Sequence, residues 1–234
     1  MGYDILNPFP LKTIRDVLAD HGVAVKKGAK EMKALFDAYV LNGTYFSILE
    51  LIAAGKTART EIESLLEVDI GGYLDRLENR FDLVSKHKPV NAKPNSRTQK
   101  YRIRDNFLSF WFRFIYRNRS AIETGNYRYI RELIHRDYRA YCGVLLEKCF
   151  QELVAGTGDY NRIGNYWERG NENEIDLVAV NDMKRKLLLA DIKLSPAKLN
   201  LTLLKSKATS LLQSYPGHHP QWLGLSLANI ADYL

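Results

Sequence analysis

From Asn173 to Lys193 the chain reads Asn-Glu-Ile-Asp-Leu-Val-Ala-Val, a polar linker Asn181 to Lys186, then Leu-Leu-Leu-Ala-Asp-Ile-Lys. Two β-type runs, Glu174 to Val180 and Leu187 to Lys193, flank that linker, which is the sequence form of a hairpin. Pairing Val180 with Leu187 sets Asp176 opposite Asp191. Side chains alternate along a strand and directly opposed residues share a face, so Asp176, Asp191 and Lys193 converge on one patch.

Opposed like charges destabilise a sheet unless something offsets them. A divalent cation does so: Mg²⁺ is held by one or two carboxylates and keeps waters for chemistry. Asp176 and Asp191 are therefore the candidate metal ligands, and Lys193 the group that orients water or balances charge building on a phosphoryl group. The pattern Asp176, fourteen residues, Asp191-Ile192-Lys193 resembles that of the PD-(D/E)xK nuclease superfamily, with Ile175 where the pattern has proline. The competing reading is a set of exposed charges at strand ends.

At 234 residues the chain is long enough for two cores, and 46% hydrophobic with 26% charged residues describes a folded protein. A net charge of +7 favours an anionic partner such as nucleic acid. Cys142 and Cys149 stand seven apart in a helical stretch, on one face and too distant for a disulfide. Two such cysteines fit a reducing compartment. His21, His87, His135, His218 and His219 show no zinc spacing. No signal sequence opens the chain and no apolar run is long enough to span a membrane, so a cytoplasmic protein without membrane contact is expected.

Residues 1–30 read as an N-terminal arm. Helices follow from Glu31 to Leu41, over Tyr45 to Ala54, from Thr57 with Thr60 and Glu63 in a capping-box pattern, and over Ile70 to Phe81. Leu83 to Lys86 and Tyr101 to Arg104 are β-like. Helices followed by a two-stranded ribbon predict a winged helix-turn-helix over residues 31–104. Its third helix is a poor reader of DNA, with Asp69, Asp75 and Glu78 against Arg76 and Arg80. The ribbon tip is the better candidate: Lys88, Lys93, Arg97 and Lys100, joined by Arg76, are the expected nucleic-acid contacts. A winged helix used as a rigid adaptor is the alternative. Ala54-Gly55-Lys56-Thr57 imitates a phosphate-binding loop, but position 50 is Glu where that loop needs glycine, so no ATP site of that kind is expected.

Beyond Tyr101 the chain reads Tyr-Arg-Ile-Arg-Asp-Asn-Phe-Leu-Ser-Phe-Trp-Phe-Arg-Phe. Phe107, Leu108, Trp111, Phe114 and Ile115 form a helical apolar stripe that suits a core helix with arginines at its rim; aromatics interleaved with arginine also suit single-stranded nucleic acid. Through Tyr101, Arg102, Asp105, Phe107, Leu108, Phe110, Trp111, Arg113 and Phe114, this stretch, set between a winged helix and a (D/E)-x-K hairpin, resembles the C-terminal region of prokaryotic, archaeal-type AAA-superfamily ATPases, whose tails carry a PD-(D/E)xK-like domain of unknown function. The resemblance covers residues 31–195 and implies a P-loop ATPase ahead of this region. The chain begins after it, so a truncated or split member, or a lone tail, is expected, with a separate ATPase subunit as a candidate partner. The resemblance also implies a helix before the hairpin with a Gly-x-x-x-Glu pattern, met by Gly143 and Glu147 within a helix from Asp137 to Val154. Glu147 becomes the third candidate carboxylate, with Glu152 as substitute and a solvated glutamate as the alternative. A helix from Ala197 to Gln213 carries Lys198, Lys205 and Lys207, of which Lys205 is the candidate phosphate contact, and a last strand runs from Trp222 to Leu227.

The expected fold is therefore α+β: an N-terminal winged helix-turn-helix, then an α/β restriction-endonuclease-like domain over residues 105–234. The expected function is DNA binding with Mg²⁺-dependent phosphodiester hydrolysis by Asp176, Asp191, Lys193 and Glu147. The alternative is a non-catalytic DNA- or protein-binding adaptor of an ATPase. A sequence-specific transcription factor is a third reading, disfavoured by the acidic third helix.

Overall fold

The computed structural model describes residues 43–93, 95–96, 98–168, 170 and 172–233. The expected arm over 1–30, the helix from Glu31 to Leu41 and Arg97 lie outside them. Among the described residues the chain is mixed α+β with two sheets. It divides into two compact units. One holds the described residues up to Lys86 together with Tyr101–Glu132, and the other holds His87–Lys100 together with Leu133–Leu234.

In the first unit, α1 (Gly43–Ala53) buries Tyr45, Phe46, Ile48, Leu49 and Ile52, the i, i+3, i+4, i+7 spacing of a helix laid on a core. Gly55, at φ +96, closes it, and Lys56 is paired with Glu61 at 2.8 Å, so the stretch that imitates a phosphate-binding loop is a helix end. The next helix, α2 (Arg59–Leu66), begins after Ala58 without a side-chain cap. Neither Thr57 nor Thr60 caps it, and the Glu63 carboxylate instead accepts from Arg59 and from the Ile70 N–H. Asp69 accepts from the Gly71 N–H at 2.8 Å and pairs with Arg59 at 2.9 Å, which opens α3 (Gly71–Asp75). A Cβ at Gly71 would meet the Arg59 guanidinium at 2.9 Å, the far end of a side chain that can shift aside. The helix continues as a π turn over Arg76–Arg80 and leads to β1 (Val84–His87), which pairs with β2 (Lys100–Ile103) in a two-stranded sheet.

Asp105 then caps α4 (Asn106–Phe110), its Oδ1 accepting from the Leu108 N–H at 2.8 Å. A π-helical turn over Trp111–Ile115 follows, with a 3₁₀ turn and α5 (Arg119–Glu123). The wider π turn resets the helical phase. Leu108, Phe112 and Phe114 are buried while Phe107 is 61% exposed, so the apolar stripe differs from the one that a regular helix predicts. Leu108 and Phe112 belong to the same core as Ile48, Leu77 and Tyr101. The expected boundary at residue 104/105 therefore does not coincide with the observed division: residues 105–132 complete the helical core, and the loop at 87–100 joins the second unit.

The second unit is built on a four-stranded sheet in the order β3 (Arg162–Tyr166), β4 (Ile175–Asn181), β5 (Lys186–Ile192) and β6 (His219–Leu225). The first two pairings are antiparallel and the third is parallel. Val178, Val180, Leu187 and Leu189 share one core with Leu204, Ala208 and Leu211, which come from α7 (Leu201–Lys207) and α8 (Thr209–Gln213). Leu177, Ala179, Leu188 and Ala190 share another with Leu146, Phe150 and Val154 of α6 (Tyr127–Gly156). Both sheet faces are covered, which explains why β4 and β5 read as continuous apolar runs. The buried residues of α6 are Ile130, Tyr141, Leu146, Phe150 and Val154. Tyr138 is exposed, and Cys142 and Cys149 are half-buried free thiols. Among the described residues no helix is long and apolar enough to cross a membrane.

Candidate functional site: two carboxylates and a lysine on the central hairpin

Val180 pairs with Leu187 and Leu177 with Ala190, the register under which Asp176 and Asp191 stand opposite each other. The polar link shortens to 182–185. Asn181 Oδ1 accepts from the Lys184 N–H at 2.8 Å, and Arg185 takes the left-handed conformation that a four-residue hairpin link uses. Alternation then places Asp176 in the row of Val178 and Val180, and Asp191 in the row of Leu187 and Leu189. Both carboxylates thus continue the apolar face covered by α7 and α8, at the end where the core gives out.

Lys193 lies between them, its Nζ 2.7 Å from Asp176 Oδ2 and 2.7 Å from Asp191 Oδ1. Both aspartate side chains are only 15% exposed and the lysine is 38% exposed. Burial alone pulls the lysine's pKa down, but the hydrogen bonds it donates to Asp176 and Asp191 outweigh it and hold the ammonium above its ordinary value. The cluster carries a lysine that stays charged, so it offers no free amine base at neutral pH.

Each carboxylate is fixed from a second direction. Asp176 Oδ2 accepts from the Ile192 N–H at 2.8 Å, and Asp191 Oδ2 accepts from the Asn200 N–H at 2.8 Å. Asn200 is also the N-cap of α7, its side chain accepting from the Leu203 N–H at 2.9 Å, so one residue ties helix start and carboxylate together. The Asp176 carbonyl accepts from Asn165 Nδ2 at 2.6 Å and from Gln151 Nε2 at 3.2 Å. Asn165 is 3% exposed and sits where β3 breaks register between Gly164 and Tyr166. Asn165 and Asn200 were not singled out from sequence: a buried asparagine at a bulge and an asparagine before a helix carry no signal of the carboxylate they serve. Beside the pair is a cavity of ≈ 10 Å³, room for one water-sized sphere, lined by Glu174, Asp176, Asp191, Asn200, Leu204 and Lys207 among others.

Glu147 is not gathered with them. Among the described residues no set of three His, Cys, Asp or Glu side chains is close enough to hold one metal ion. Glu147 is half-buried on α6, one turn before Gln151, whose Nε2 donates to the Asp176 carbonyl at 3.2 Å. Glu152 is exposed. A two-carboxylate site still fits Mg²⁺, which needs only one or two protein carboxylates.

The expected nucleic-acid contacts separate. Lys88 and Lys93 are exposed. Lys100 is not a free contact: only 12% of its side chain is exposed, its Nζ is 2.9 Å from Glu174 Oε1, and it lies over the Trp167 ring at 4.6 Å. The loop around it is pinned, with the Val90 N–H donating to the Asn165 carbonyl at 3.0 Å and Tyr215 Oη donating to the Val90 carbonyl at 3.3 Å. Val90 supplies apolar surface to the second unit's core, which the loop's charge pattern hid. Arg76 is exposed and donates to Tyr45 Oη at 3.2 Å. Lys205 lies over Trp222 at 5.9 Å, whereas Lys207 faces the cavity.

Residues 111–207 match the profile of the DUF234 family, described as archaeal and bacterial proteins of unknown function. Over 160 residues, 64% of this chain, the sequence is 36% identical to an uncharacterized protein of Methanocaldococcus jannaschii. The chain spans about a third of that relative's length, 35% of it. No solved structure matches.

Proposed function

We propose that the second unit is a restriction-endonuclease-like domain that hydrolyses nucleic-acid phosphodiesters with a divalent cation, and that the first unit is a winged helix serving it. The observation that carries this reading is the single ammonium of Lys193 held 2.7 Å from each of two carboxylates on opposed strands. Asp176 and Asp191 would hold Mg²⁺. When bound, such an ion supplies Lewis acidity and an activated water. The chain's own groups do the rest. Ile192 and Asn200 N–H groups keep the carboxylates aimed, and Lys193, beside both of them, would place positive charge near the phosphoryl oxygens where negative charge develops. A net charge of +7 supports an anionic substrate.

The test is incubation of the purified chain with plasmid, single-stranded DNA and RNA in Mg²⁺ or Mn²⁺, beside Lys193→Ala and Asp191→Asn. Cleavage by the parent and loss of at least a hundredfold in both variants is the expected result. Cleavage that survives both substitutions, or none with any substrate and ion, sinks the nuclease reading. A second reading has its own observation: the described residues bring no third acid close enough to share a metal ion with the pair, and a lysine bonded to both carboxylates is a self-sufficient structural cluster. On that reading the unit is a binding adaptor, of nucleic acid or of a separate ATPase subunit, and the absence of cleavage with an intact fold is its signature.

A further inference from the structure

We infer that Lys207 is the phosphate-binding residue of the carboxylate cleft, gripping a phosphodiester of the bound nucleic-acid strand, and that the substrate therefore approaches along α7. This rests on the reading of Asp176 and Asp191 as a nucleic-acid site. Lys207 lines the same ≈ 10 Å³ cavity as the two aspartates, and its Nζ donates to the Glu174 carbonyl at 3.2 Å. That bond uses one of the three donors of an ammonium. Glu174's own carboxylate is taken by Lys100 at 2.9 Å, so it leaves the Lys207 charge uncancelled.

Charge makes Lys207 necessary. Asp176 and Asp191 carry two negative charges and Lys193 returns one, so a phosphodiester approaching these three groups meets a net repulsion. Lys207 brings the cleft to neutrality, and a cation on the carboxylates then makes it attractive. The surroundings agree in sign: from Ile192 to Ala231 the chain has Lys193, Lys198, Lys205 and Lys207 and not one Asp or Glu. Lys205, the candidate by sequence, is drawn over the Trp222 ring at 5.9 Å and is absent from the cavity lining.

Binding separates this inference from the hydrolytic reading. Fluorescence anisotropy with labelled single- and double-stranded DNA, in Ca²⁺ so that hydrolysis does not intervene, is measured for the parent chain, Lys207→Gln, Lys207→Met, Lys207→Arg and Lys205→Gln across a salt series. Loss of one phosphate contact predicts roughly tenfold weaker binding at 0.1 M salt and a log–log salt slope shallower by about one. Both neutral Lys207 variants should show this, Lys207→Arg should bind like the parent, and Lys205→Gln should stay within about twofold. The methionine variant keeps the apolar stem should glutamine disturb folding. Equal losses at Lys205 and Lys207, an arginine variant as weak as the neutral ones, or a parent chain that binds neither probe would overturn the inference. Binding that follows this pattern in a chain that never cleaves would retire the nuclease reading and leave Lys207 standing.

Discussion

Two strand pairs in this chain were each expected to present charge to a ligand, and they differ in what fixes them. β4 and β5 are joined by four residues and buried on both faces, so a slip of one residue would turn every apolar side chain onto the wrong layer. That constraint delivers Asp176 and Asp191 to the same place as a consequence of Val178, Val180, Leu187 and Leu189 being where they are. β1 and β2 are four residues each, joined by the long loop at 88–99, and no alternation reaches across that loop. Its charges promise a free basic tip. Its single valine decides otherwise, because Val90 is held in the second unit's core by two backbone hydrogen bonds and Lys100 is held by Glu174 and Trp167. Apolar residues on a covered sheet specify position; charged residues on a loop specify only sign.

The comparison breaks most severely if the hairpin's floor is removed. Phe150 is fully buried under the face made by Leu177 and Ala190, so Phe150→Ala should cost about 3–5 kcal/mol through lost transfer energy and a residual cavity. Urea unfolding followed by the fluorescence of Trp167 and Trp222 measures it; a cost under about 1 kcal/mol would mean that α6 does not support the carboxylate strand. Asp176→Ala comes next. It leaves the Ile192 N–H without its acceptor and Lys193 with one carboxylate in place of two, and should cost about 1–3 kcal/mol in the same experiment. The loop's own anchor ranks below these. Lys100→Ala removes one ion pair and one ring contact, worth about 1 kcal/mol together, and should lower DNA affinity less than Lys93→Ala does. The reverse order would restore Lys100 to the role its sequence suggests.

How much of this was legible follows the same line. The register of the hairpin and the convergence of Asp176, Asp191 and Lys193 follow from period-two reasoning, whereas the last strand, expected over Trp222 to Leu227, runs over His219–Leu225. The helical residues after Asp105 were recognisable, but their inward face was not, since a π turn at Trp111–Ile115 brings Phe112 in and leaves Phe107 out. Nor was the membership of residues 105–132 in the first core, because Leu108 and Phe112 read equally well as the opening of a new domain. In the site, the acids and lysine announced themselves by charge. Asn165, Gln151 and Asn200 did not, because an amide that holds a carboxylate's backbone or helix start looks like any polar loop residue until the partner is seen.

The smallest expected effect sharpens the contrast between the two pairs through one lysine from each. Lys86 on β1 is raised above its ordinary value chiefly by its hydrogen bond to Glu78, against the opposing effect of burial. For Lys193 burial is the largest single influence and acts downward, yet the bonds it donates to Asp176 and Asp191 still leave the group raised. A folded-state pKa above the unfolded one contributes stability that is fully present below the ordinary lysine value of 10.5 and lost as pH climbs through the folded value. Thermal melts of the parent and of Lys193→Met, compared at pH 9 and pH 11, should therefore show the parent's advantage shrinking at the higher pH, with solvent screening of a side chain that is 38% exposed keeping the change modest. The same pair of melts for Lys86→Met should move in the same direction. An advantage for the Lys193 parent that grows at pH 11 would mean that the ammonium is not what holds the opposed carboxylates together, and the hairpin would then owe its register to its apolar faces alone.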